Sequence, residues 1–232
     1  MLKTLQNAFK IKEVREKLLY TFFMLVVTRI GSHLPIPGVN TTFFQELFTR
    51  QSNDAFGFFN TITGGSFTNM SVFALSITPY ITSSIIMQLL TIAIPKLEEM
   101  QQEGEDGRKK IAEYTRYLTV ALALMQSVAM AIGFGGKGLL VEFTALNVIV
   151  AIVTMTAGSA MLMWIGERIT ENGVGNGISI VLLFNIISTM PSDMITLYER
   201  FLQGKIVAVA VVTAVIIVAV IVAMVVFVII LQ

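Results

Sequence analysis

Long apolar runs constrain this chain more than any other feature. A bilayer core about 30 Å thick is crossed by roughly 20 mostly apolar residues in a helix. Five runs come near that length: 18–34, 70–94, 118–134, 146–165 and 206–231. A sixth, 178–190, has only 13 residues. Hydropathy alone leaves it as a short span, a re-entrant segment or a buried helix. Of the 232 residues, 13% are charged, about half the share of an ordinary soluble domain. That is too little charge to cover a water-facing surface. The reading is an all-α integral membrane protein.

The few charges are placed unevenly. Lys3, Lys10, Lys12, Arg15 and Lys17 precede the first run, and Lys96, Arg108, Lys109, Lys110 and Arg116 follow the second. Only Arg50 lies between those two runs, and only Lys137 follows the third. Basic residues gather in cytoplasmic loops, so the N-terminus is expected inside. If 178–190 also spans, Arg168 falls inside and Arg200 and Lys205 outside. The expectation is then six crossings with both ends cytoplasmic. The segments are 1–17, an amphipathic cytoplasmic N-terminus; 18–190, five spans; 191–205, an external loop; and 206–232, the sixth span. The N-terminus lacks the pattern of a cleavable signal peptide. A formal net charge of +1 leaves no bulk basic footprint for direct nucleic-acid binding.

Composition also narrows the chemistry. There is no Cys and one His, His33, so no thiol nucleophile, zinc cluster or disulfide framework is expected. His33 stands beside Pro35 near the predicted interface and reads as structural. Asp54, Asp106 and Asp193 all fall in predicted loops, and no intramembrane nucleophile–base pair can be assembled. The chain does not read as an enzyme, and no cofactor or metal is expected.

Three features stand out within the runs. Pro79, in the middle of the second, removes a helical N–H and is expected to kink the helix. Ser76, Thr78, Thr82, Ser83, Ser84 and Gln88 surround it, and so polar a helix is expected to face protein or water rather than lipid. The stretch Asn172-Gly-Val-Gly-Asn-Gly177 lacks the preceding strand and the Lys-Ser/Thr of a phosphate-binding loop. Its glycines suit a sharp reversal between helices. Arg29 lies toward the outer end of the first run, where it either snorkels outward or finds a buried partner that the sequence does not identify.

Two segments, Ser71-Val-Phe-Ala-Leu-Ser-Ile-Thr-Pro-Tyr-Ile-Thr-Ser-Ser-Ile-Ile-Met-Gln-Leu-Leu90 and Trp164-Ile-Gly-Glu-Arg-Ile-Thr-Glu-Asn-Gly-Val-Gly-Asn-Gly-Ile-Ser-Ile-Val-Leu182, resemble signatures of the SecY family. Its members are pore subunits of the bacterial Sec protein-translocation channel. Arg29-Ile-Gly-Ser-His-Leu-Pro-Ile-Pro-Gly38, the stretch 59–65 and Glu103-Gly-Glu-Asp-Gly-Arg-Lys-Lys110 agree with the same family. One departure is visible: the first signature usually carries Gly where this chain has Ser76. A hydroxyl can bond back to its own helix, so little harm is expected.

The resemblance implies two pseudo-symmetric halves of five helices. It makes 178–190 the fifth span and 206–231 the first helix of the second half. About 55–69 would be a plug, a short helix folded into the funnel, with Phe56, Phe58, Phe59, Gly64, Gly65 and Phe67. The pore ring would use Ile77, Ile81, Leu182 and Ile186. From spacing alone these are ordinary lipid-facing or core aliphatics; the motif match supplies the role. Pro79, Thr82 and Gln88 would lie on the lateral gate, and Arg108, Lys109 and Lys110 would face cytoplasmic partners. Those implied partners are SecE, SecG, the SecA motor, the ribosome, signal sequences and nascent chains, within a lipid bilayer. SecY-like proteins continue for four more helices, so this chain is expected to be part of a longer one, inserting alone but not translocating. The competing reading is half of a small-solute transporter. It calls for an ion-coupling charged residue within spans two to six, and none lies there.

Overall fold

In the computed structural model, residues 11–43, 46, 54–201 and scattered positions from 219 to 230 are described. The expected N-terminal amphipathic stretch through residue 10, residues 47–53, the end of the expected loop from 202 and much of the expected sixth span fall outside them. The helices are α1 (Lys12–His33), α2 (Asp54–Ile62), α3 (Thr78–Ala93), α4 (Pro95–Gln102), α5 (Glu105–Phe134), α6 (Ala145–Asn172) and α7 (Gly177–Phe201). A π-helical turn, Gly135–Leu139, follows α5. Among the described residues there is no strand, only two isolated bridges, Pro35 with Ser71 and Val39 with Leu140.

Among the described residues, two helices, α5 with its π turn and α6, are long and apolar enough to cross a membrane. The pair α3 and α4 makes a third if taken as one bent span. That bend is 102° and falls at Pro95, which opens α4 in its first turn. The polar stretch before the third run is more helical than expected. It forms α4 and the first turns of α5, with Gly104 at φ 87 as the joint between them. Glu105 and Asp106 occupy the first turn of α5, where negative charge favours a helix start.

The chain divides into two units, Met1–Ile186 and Ile187–Gln232. In the first, α5 packs against both α6 and α3, and α1 packs on α6. The buried positions of α5 include Thr115, Thr119, Ala123, Ser127 and Ala131. Every one is small and every fourth residue is used, so one face of α5 lets a neighbouring backbone approach closely. The Ser127 and Thr156 hydroxyls meet across α5 and α6 at 2.9 Å. On outer faces, large apolar side chains such as Phe22, Leu89, Met125 and Val153 lie exposed, as expected of surfaces that lipid covers. In the second unit, Pro191 sits inside α7. The backbone is helical through Phe201 where a loop was expected from 191.

Candidate functional site

The second apolar run is not one kinked helix. Residues 64–77 are turns, and α3 begins only at Thr78, with Pro79 in its first turn. A proline there gives up an N–H that has no helical partner anyway, and its fixed φ suits a helix start. Pro79 therefore opens the helix rather than bending it. Ahead of it, Met70, Phe73, Ala74, Leu75, Ser76 and Ile77 are buried. Met70 and Ser76 hold left-handed backbone, φ 43 and 53.

Irregular backbone at membrane depth is tolerated where protein encloses it and its polar groups are paired. Here they are. Ile36 N–H donates to the Met70 carbonyl (3.0 Å), Val72 N–H to Leu34 (2.9 Å), Ala74 N–H to Ser71 (2.9 Å) and Ser76 N–H to Phe73 (2.8 Å). From α6, Ser159 Oγ donates to the Ser76 carbonyl at 3.2 Å. The close fit depends on missing side chains. A Cβ on Gly158 of α6 would stand 1.9 Å from the Val72 carbonyl oxygen, and one on Gly31 of α1 would enter the Phe73 ring at 2.1 Å.

Ser76 was expected to bond back within its own helix. It lies outside the helix, in a conformation that favours glycine, and its Oγ receives Asn185 Nδ2 of α7 at 3.4 Å. The sequence reading passed over Asn185. A lone Asn inside an apolar run was the available signal, because buried amides need partners.

Ile77, Ile81 and Leu182 come together in one apolar cluster with Phe73, Leu162, Ile165, Ile169 and Val181. Ile77 caps α3 and has no exposed surface, whereas Ile81, Leu182 and Ile186 are half-buried. Thr82 Oγ1 donates to the Thr78 carbonyl at 3.1 Å within α3. Gln88 is exposed, with Nε2 3.4 Å from Ser84 Oγ.

The glycine stretch is a connector. Gly175 has φ 66, and Asn176 Oδ1 accepts from the N–H groups of Ile178 and Ser179 at 3.1 and 3.3 Å. That caps the start of α7. A Cβ on Gly177 would lie 2.0 Å from the Gly166 carbonyl oxygen, so α7 leaves α6 at very short range. Val174 N–H donates to Thr21 Oγ1 of α1 at 3.2 Å, pinning the loop to α1.

The stretch 54–69 contains the helix α2, followed by left-handed Gly64 and Gly65 at φ 67 and 82. Phe59 and Phe67 meet edge to face, centroids 4.9 Å apart. Phe67 is buried, Phe58 is 70% exposed, and the side chain of Phe56 lies outside the described set. Arg29 does have a protein partner: its Nη1 donates to the Gly64 carbonyl at 2.9 Å.

At the other end of α3, a cavity of ≈ 260 Å³ is lined by Tyr80, Ser84, Gln88, Gln101, Arg108 and Thr115 among others. It brings Gln88 and Arg108 to one place. Lys109 pairs loosely with Asp106 at 3.9 Å, and Lys110 is exposed. Arg116 Nε donates to Glu167 Oε1 at 2.8 Å, joining α5 to α6 with the carboxylate 19% exposed. For a partly shielded, charge-assisted pair the loss on Glu167→Gln is expected at about 1 kcal/mol. Thermal unfolding of the full-length protein, compared with Arg116→Ala and the double variant, measures it. Additive losses would mean the two side chains are not coupled.

The fold and site define a multi-pass, all-α membrane protein in which buried non-helical backbone leads into the apolar helix α3. The SecY family model matches residues 71–232. Proteins described as protein translocase subunit SecY match from Streptomyces scabiei (42% identity, 86% of this chain and 48% of the relative), Halalkalibacterium halodurans (43%, 88% and 47%) and Bacillus subtilis (42%, 86% and 46%). Among solved structures, a chain of Sec61 in the canine ribosome–channel complex from the endoplasmic reticulum superposes with TM-score 0.52 at 21% identity, over 87% of this chain and 43% of that one. A chain described as a protein-conducting channel does so equally. These likenesses support the fold. The chain belongs to the SecY family. It spans about half the length of the curated relatives it matches.

Proposed function

We propose that this chain supplies the first half of a protein-conducting channel, through which unfolded secretory polypeptides cross the bacterial plasma membrane and from which membrane segments leave sideways into lipid. The observation that carries this reading is the meeting of the two signature segments. They are 71–90 and 164–182 in the sequence, and Ile77, Ile81 and Leu182 pack in one cluster. Ile81, Leu182 and Ile186 retain exposed surface, and Ile77 backs them from the core. A ring of aliphatic side chains disfavours water and ions. It yields to an extended polypeptide because it offers no specific bonds that must be broken.

On this reading α2 and the turn after it form the plug, with Phe58 and Phe59 on its helix and Phe67 anchoring it in the core. Helix α3, with Pro79, Thr82 and Gln88, borders the lateral gate. The N-terminus and the Arg108–Lys110 stretch face the cytoplasm, in a six-span arrangement. SecE and SecG would be membrane partners. SecA or the ribosome would dock on the cytoplasmic side and supply the driving energy.

The test is site-specific crosslinking from Ile81 and Leu182, in the full-length protein, to a stalled secretory chain. Both positions are expected to give adducts with the polypeptide. Adducts with lipid alone at both would overturn the pore assignment.

A further inference from the structure

We propose that Ser76 and Asn185 form a tether that holds the start of α3 to α7 and sets how readily those two helices separate. This rests on the channel reading for its consequence, but not for its existence.

Each member stands one residue before a ring position, Ser76 before Ile77 and Asn185 before Ile186. Ser76 is 0% exposed and Asn185 5%. Val181, one turn earlier on α7, is fully buried on the same face. The amide therefore projects from the packed side of α7, and Ile186 is turned about 100° away from it. The Asn185 amide donates to the Ser76 hydroxyl at 3.4 Å. The backbone under that hydroxyl is also held by α6, where Ser159 Oγ donates to the Ser76 carbonyl.

Serine is an unfavourable residue for this backbone. At φ 53 an L side chain is strained and glycine is not. What serine adds over glycine is a hydroxyl aimed at α7. The buried apolar residues Phe73, Ile77, Leu162 and Val181 form the cluster that Ile77 and Val181 bring up to the pair. A polar pair in such a place is costly to part unless water or another polar group replaces each partner. Separating α3 from α7 would expose an amide and a hydroxyl beside the aliphatic ring. The tether thus favours the closed arrangement, and it weakens when water or a polypeptide backbone reaches it. A dry constriction stays latched, and an occupied one is released.

The test uses the full-length protein in lipid nanodiscs. The 232 residues contain no cysteine, so with any cysteines beyond them replaced, nitroxides can be placed on exposed Leu89 of α3 and Leu183 of α7. Electron–electron double resonance then reports the α3–α7 distance distribution. Ser76→Gly and Asn185→Leu are each expected to raise the longer-distance fraction roughly threefold, the scale of one interhelical hydrogen bond in a membrane protein. The double variant is expected to match the single ones rather than multiply them. Unchanged distributions in both single variants, or multiplying effects, would overturn the tether. Asn185→Leu keeps the φ of Ser76 untouched and serves if Ser76→Gly fails to fold. Ion leak from proteoliposomes separates the two levels of the claim. Wider distances with no added leak leave the tether standing and count against the channel reading. Unchanged distances remove the tether whatever the leak.

Discussion

Gly158→Ala is expected to destabilise the full-length protein by about 2 kcal/mol, and Gly158→Val by more. Helix propensity argues the other way: alanine in a helix interior gains about 1 kcal/mol over glycine. The local geometry overrides it. The added Cβ would sit 1.9 Å from the Val72 carbonyl oxygen and 2.8 Å from its carbon. The obstacle is backbone, which cannot swing aside as a side-chain tip can. Moving Val72 outward strains its N–H bond to Leu34 and the neighbouring Ile36–Met70 bond, each worth about 1 kcal/mol. Ser159, next along α6, would lose its line to the Ser76 carbonyl. Gly133 of α5 is the control, because a Cβ there meets nothing within 4 Å. Gly133→Ala is expected to be neutral or slightly stabilising. Thermal unfolding in detergent reads both. If Gly158→Ala melts with the parent protein, the close approach of α6 to the 64–77 turns is not present in solution.

That prediction depends on a feature the sequence concealed. Apolar runs made the long helices legible, because few other structures can bury so many consecutive hydrophobic residues or turn them to lipid. The same logic misread 70–77. Hydropathy records that Met70-Ser-Val-Phe-Ala-Leu-Ser-Ile77 avoids water; it does not record whether the backbone is helical while doing so. Pro79 was the local cue, since proline suits the first turn of a helix better than its middle. The usual glycine at position 76 was the second cue, pointing to left-handed backbone. By contrast, the glycine stretch 172–177 was legible because its function is steric. Left-handed turns and close helix approach are what glycine provides, and Gly175 and Gly177 provide them.

Of the candidate site, residue types and rough placement were legible, and partners were not. The aliphatic pairs could be placed on common helix faces from i, i+4 spacing, but spacing could not tell that Ile77 is enclosed while Ile81 is not. The Asn185–Ser76 contact spans 109 positions, and nothing in local pattern links them. Arg29 shows the limit most plainly. Its expected resolutions were snorkelling outward or a buried partner that the sequence does not identify. The structure supplies a carbonyl 35 residues away, and backbone acceptors have no signature in sequence, because every residue has one.

Arg29→Leu is therefore expected to produce two effects of opposite kind. If α1 crosses the membrane as proposed, its arginine costs up to ~2.5–3.5 kcal/mol on insertion scales, so leucine is expected to insert α1 at least as well and to leave the melting temperature no lower. Locally the change removes a charge-assisted bond worth about 1.5–3 kcal/mol. The Gly64 carbonyl loses its donor just where two left-handed glycines turn the chain back toward Phe67. Amide hydrogen exchange over 63–70 is expected to speed by about 10- to 100-fold, since 1.4 kcal/mol is a factor of ten, while amides of α5 and α6 stay as protected as before. Arg29→Lys keeps the charge but offers a single-point donor on a more flexible stem, and should fall between. If α2 and its turn act as a plug, ion leak through the reconstituted full-length channel rises in the same order: parent, lysine, leucine. Faster exchange without added leak would keep the Arg29 anchor and discard the plug. Unchanged exchange would show that the 2.9 Å contact does not hold this segment, and the rigidity of the turn would then have to come from Phe67 packing and the paired backbone around Ser71.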